Sequence, residues 1–209
     1  MEIWSHDGKL YEASSGYSLL DDAWQYELMG LTGPPGTGPY LSVSIPDATP
    51  IGPFTPRPAE HIVIHSGGGT LPWPILANLI RVLDSSGDLV DEARDLSTEA
   101  TTLPLTLNAW TYGTRRFEVN HFHHDDSWCY ELYEVDTRAA ENNYIEVRIP
   151  DASRNSGPFI PMPCDHVTLT MHGRWTLPWP VFRRFLDAMR AAGDIVECVS
   201  DEPTPVDQP

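Results

Sequence analysis

The strongest constraint on this chain is that its pattern occurs twice. Ile45-Pro46-Asp47-Ala48 returns 104 residues later as Ile149-Pro150-Asp151-Ala152, and Thr70-Leu71-Pro72-Trp73-Pro74 returns 106 residues later as Thr176-Leu177-Pro178-Trp179-Pro180. Around these anchors Asp21-Asp22 matches Asp125-Asp126, Tyr26-Glu27-Leu28 matches Tyr130-Glu131-Leu132, Gly52-Pro53-Phe54 matches Gly157-Pro158-Phe159, and Gly87-Asp88 matches Gly193-Asp194. A series that keeps its order at nearly constant offset marks a tandem repeat. It predicts copies over 1–90 and 107–198, a polar linker over 91–106 and an acidic, proline-rich disordered tail over 199–209.

Each copy reads as strands followed by one helix. Ile3 to His6 and Lys9 to Glu12 flank Asp7-Gly8, a pair suited to the positive φ angles of a two-residue hairpin turn. Trp24, Tyr26 and Leu28 alternate with polar residues, as do Leu41, Val43 and Ile45, and Trp128, Tyr130, Leu132 and Ile145, Val147, Ile149 repeat the alternation. Ile75, Leu76, Leu79, Ile80 and Leu83 fall on one helical stripe, matched by Val181, Phe182, Phe185, Leu186 and Met189. Gly87 and Gly193 close these helices, and Thr70 and Thr176 are candidate caps. The pattern predicts an α+β fold: a tandem duplication of an antiparallel sheet plus one C-terminal helix per repeat, a two-layer α/β sandwich with pseudo-twofold symmetry. Two arrangements fit equally, sheets joined edge to edge or two separate lobes.

Thirteen Lys and Arg against 30 Asp and Glu leave a formal charge of −17, which disfavours nucleic acid and anionic lipid as direct partners. Met1 to Ala13 has neither a basic start nor an apolar run, so a cytoplasmic protein is expected. Cys129, Cys164 and Cys198 have no paired spacing and read as reduced thiols. Lys9 is the sole lysine, an arginine bias typical of a GC-rich bacterium or phage.

The densest polar cluster is Asn120-His121-Phe122-His123-His124-Asp125-Asp126. Read as a loop, it offers His121, His123 and Asp125 as ligands for a divalent metal, although surface loops also collect histidines that bind nothing. The acid pairs and the Ser66 to Thr70 glycine run have simpler accounts as turns, and His61 and His166 as structural histidines. The proline straps Pro46 to Pro58 and Pro150 to Pro163, anchored by Phe54 and Phe159, read as covers for a sheet edge. Trp73 and Trp179, flanked by prolines, are candidate exposed anchors for a partner, although a Trp so placed more often closes the end of a core, and Glu27, Glu131 and Glu146 lie on the polar face of their strands.

No nucleophile elbow, phosphate loop or standard metalloenzyme motif is present in the sequence. The expected function is therefore a non-catalytic acidic binding protein that engages a macromolecular partner, a basic protein, in the manner of an immunity-type or phage-encoded inhibitor. The alternative is a metal-dependent enzyme built on His121 and His123. The strand and helix order in the middle of the chain resembles, in permuted form, one module of the vicinal-oxygen-chelate fold. That resemblance implies paired modules with metal-binding His and Glu and lyase or dioxygenase chemistry; a hydrolase is the other form of the metal-enzyme reading.

Overall fold

The computed structural model describes residues 1–33, 36, 38–49, 51–90, 109–135, 143–153 and 157–196. The expected linker and tail lie outside them. Among the described residues, eleven strands and two α-helices form an α+β fold. The first half contributes β1 (Glu2–His6), β2 (Lys9–Ser18), β3 (Ala23–Gly30), β4 (Tyr40–Pro46), β5 (Val63–Pro72) and α1 (Trp73–Ser86). The second contributes β6 (Trp110–Tyr112), β7 (Arg115–His124), β8 (Ser127–Glu134), β9 (Tyr144–Pro150), β10 (Thr168–His172), β11 (Trp175–Pro178) and α2 (Trp179–Ala192).

All ladders are antiparallel, and the sheet runs β1-β2-β3-β4-β5-β10-β9-β8-β7-β6, with β11 also on β5. Of the two arrangements open to the sequence, the edge-to-edge one is found. Its centre is a ribbon in which β5 runs against β10 and β11: Val63 to Ser66 face Pro178 to Trp175, and Gly69 to Pro72 face Met171 to Thr168. Gly68 and Gly69, at φ of 91° and 96°, let β5 bend between these partners, so the glycine run is strand and not the free turn expected.

One face of the sheet carries the core. Tyr26, Leu28, Leu41, Val43, Ile45, Ile64 and Leu71, with Tyr130, Leu132, Ile145, Val147, Ile149, Leu169 and Leu177, are all buried. Each aliphatic among them stabilises the fold by roughly 1.5–3 kcal/mol relative to exposure. Both helices lie on this face and cover it with the stripes read from the sequence. They run antiparallel to each other: Arg183 in the second turn of α2 bonds Asp84 near the end of α1, and Arg190 near the end of α2 sits 5.7 Å over the ring of Trp73 at the start of α1. Gly87 and Gly193 cap both helices in the left-handed conformation, as expected. The caps at the other end are not Thr70 and Thr176, which belong to strands; Pro72 and Pro178 occupy the N-cap positions, and no side chain caps either helix.

The hairpin at Asp7-Gly8 forms as predicted, with φ of 48° and 73°. Each proline strap folds back on itself through an isolated bridge, Asp47 to Pro56 and Asp151 to Pro161. Phe54 packs on Trp24 and Phe159 on Trp128, which are residues of inner strands. The straps thus close the end of the core, and the sheet edges at β1 and β6 lie elsewhere. Cys129 is free and buried, but Cys164 is disulfide-bonded, which corrects the expectation of reduced thiols; sequence spacing does not report which sulfurs a fold brings together.

Candidate functional site

The sheet face opposite the helices is polar because alternate residues of every strand must point there. The register places Glu131 directly opposite Glu146, with Asn120 and Thr170 on either side, and Glu27 opposite Ser42 and His65 in the first half. Tyr40 donates its hydroxyl to Glu27 at 2.7 Å, and the guanidinium of Arg148 lies 3.3 Å from Glu146. Cys129 also belongs to it, opposite Arg148; burial and the nearby Glu146 push its thiol pKa up, which keeps it protonated and unreactive.

At one end of the first half the turn from β2 to β3 presents Leu19 and Leu20 at 89% and 98% exposure, and the neighbouring strap presents Ile51 at 93%. Both segments are pinned to one side chain. Tyr17 donates to Asp22 at 2.5 Å and to Asp47 at 3.1 Å, and those hydrogen bonds, the Asp22 bond above all, raise its pKa. Ser18 and Gln25 both donate to Asp21, at 2.7 and 2.8 Å. Asp47 accepts the backbone amides of Thr49 and Thr55 at 2.9 and 3.0 Å, bonds that hold its carboxyl below the usual range. The result is an apolar tip on tied-down loops, flanked by Asp21 and Asp22. The matching turn of the second half is the two-residue Asp125-Asp126, without leucines. The tip has one signal in the sequence, a pair of leucines inserted in one copy beside the acid pair, and periodicity alone does not pick it out.

His121 and His123 are not in a loop. They sit on β7, opposite Tyr130 and Trp128, and project to the same side, where both rings lie tilted against Trp128 with centroids 5.7 and 6.4 Å away. Strand pairing with β8 extends to His124, because Phe122 and the histidines suit a pleated surface well enough to continue the ladder. Asp125 occupies the turn at φ 51° and lies beside His124 at 3.4 Å, away from the other two. Among the described residues no three His, Cys, Asp or Glu side chains converge as metal ligands must.

Trp73 and Trp179 are corrected from surface anchors to core residues. They are 3% and 4% exposed, since each opens a helix whose first turn presses onto the sheet. Arg190 and Arg183 cover their rings. His61 and His166 end short 3-10 turns, Ala59–His61 and Cys164–His166, just before β5 and β10.

A small, shallow hollow opens among Phe117, Leu132, Ile145, Trp175 and Leu177. Arg115 on its rim is already engaged, with both oxygens of Glu134 at 2.8 Å and the carbonyl of Thr176 at 3.0 Å. In the first half the matching space holds Pro39, packed against Gly30 and Gly69 so closely that a Cβ on either glycine would come within 2.6 Å of it.

Comparison with known proteins finds no family model, curated protein or solved structure that matches the chain. Function is therefore read from the geometry above.

Proposed function

We propose that the chain is a tandem duplication arranged about a pseudo-twofold axis, and that it acts as a non-catalytic binding protein for a protein partner with basic groups. Recurring hydrogen bonds support the duplication: Asp47 N to Asp22 O recurs as Asp151 N to Asp126 O, and Tyr26 to Asp88 recurs as Tyr130 to Asp194. The observation that carries the binding reading is the tip of Leu19, Leu20 and Ile51. Exposed aliphatics gain nothing for the fold, and the second half builds its turn without them, whereas preordered loops lower the entropy lost when a partner seats on them. Asp21 and Asp22 beside the tip, with Glu27, Glu131 and Glu146 on the sheet, favour a partner with Lys or Arg around an apolar socket.

The test is a pull-down from the native host with wild-type protein and with Leu19→Ser/Leu20→Ser, repeated at rising salt. A band captured by the wild type, lost in the variant and weakened by salt is the expected result. Equal capture by both proteins would remove the tip from the reading. No helix among the described residues is long and apolar enough to cross a membrane.

The metal-enzyme reading keeps one supporting observation, the common projection of His121 and His123. A stoichiometric metal in the untagged protein, lost in His123→Ala, would favour it.

A further inference from the structure

We propose that neither half of this chain is a folding unit, and that the central ribbon is an obligate interface whose fitting partner is another half of the same kind. Four sets of contacts cross it, each in reciprocal pairs. The first amide of α1, on Trp73, donates to the carbonyl of Val167 at 2.9 Å, and that of α2, on Trp179, donates to Ile62 at 3.0 Å. Neither helix has a side-chain cap, so the amide that opens each helix is satisfied from across the ribbon, and a lone half would lose that acceptor. The ladder sets Ile64 against Leu177 and Leu71 against Leu169, all buried, so parting the halves would bare this aliphatic row together with a long raw strand edge. The outer hairpins reach over as well: the ring of His6 lies 3.3 Å from the carbonyl of Asp165, and Tyr112 donates to the carbonyl of Glu60 at 3.0 Å. Finally, α1 packs on the turn Cys164–His166 of the second half and α2 on the turn Ala59–His61 of the first. Each helix is thus seated partly on the other half. The contact has the isologous form of a twofold dimer, in which one patch meets its own counterpart.

The test uses the full chain with a protease recognition sequence placed within residues 91–108, under reducing and non-reducing conditions. Calorimetry of the uncut protein is expected to show one unfolding transition. After cutting, the two fragments are expected to co-elute at the position of the intact protein, and the midpoint of unfolding is expected to rise with protein concentration over a roughly hundredfold range, because folding has become an association. Leu177→Asp in the cut protein is expected to give separated fragments without native circular dichroism. Loss of structure in both fragments on cutting alone would support the proposal equally. Two separate transitions in the uncut chain, or fragments that part and each keep a cooperative melt, would overturn the proposal.

Discussion

Glu131 stands directly across the β8–β9 ladder from Glu146. Carboxylates in that relation repel, and sheets ordinarily avoid it. Arg148 beside Glu146 offsets that repulsion, so Glu131→Gln is expected to shift stability by less than about 1 kcal/mol in urea unfolding while weakening capture of a basic partner. A variant that keeps full binding would detach this face from the proposed function.

Asp47 and Asp151 fold their straps by accepting backbone amides, those of Thr49 and Thr55 in one case and of Ile160 and Ser153 in the other. Both carboxyls are held below the ordinary range, chiefly by those amides. A depressed folded pKa contributes stability that is present above the unfolded value, about 3.9, and is lost as the pH falls through the folded one. The urea midpoint is thus expected to be flat near neutrality and to fall below about pH 4. Asp47→Asn and Asp151→Asn should lower the neutral midpoint and flatten the acid limb.

Tyr26 gives the opposite limb. Burial, and then its bond to Asp88 at 2.5 Å, push its pKa up to about 12. A folded pKa above the unfolded value of about 10 contributes stability below about pH 10 that disappears as the pH rises through the folded one. Phenolate absorbance is expected to show this hydroxyl titrating late, together with alkaline unfolding, and Tyr26→Phe should remove that part of the signal.

Gly69 is at φ 96°, and a Cβ there would lie 2.6 Å from the Cα of Pro39. Gly69→Ala is expected to cost at least about 2 kcal/mol, from overpacking and from the left-handed backbone together. Gly16→Ala, whose Cβ would meet nothing within 4 Å, should stay within about 0.5 kcal/mol. Equal effects at the two glycines would show that Pro39 does not fill the space assigned to it.

The helices were legible because their stripes and closing glycines are local signals, and Ile75 through Leu83 and Val181 through Met189 fall where periodicity put them. The alternation of β3, β4, β8 and β9 was legible for the same reason. The histidine segment was misplaced because ladder pairing with Trp128 and Tyr130, a nonlocal effect, holds His121 and His123 in a strand. Trp73 and Trp179 look exposed between prolines, yet a proline in the first turn of a helix fixes only φ and leaves the neighbouring indole free to face the core. The route of the central ribbon, which decides how the halves meet, depends on pairs about a hundred residues apart and has no local trace. The tip at Leu19-Leu20 left a trace only as a difference between the copies.

The sheet begins at β1, with five residues, and ends at β6, with three. Each is shorter than the strand it flanks: β1 covers β2 only as far as Ala13 and β6 covers β7 only as far as Phe117, so Ser14–Ser18 and Glu118–His124 form the outer rims. Backbone along those two stretches is where a further strand would add to the sheet.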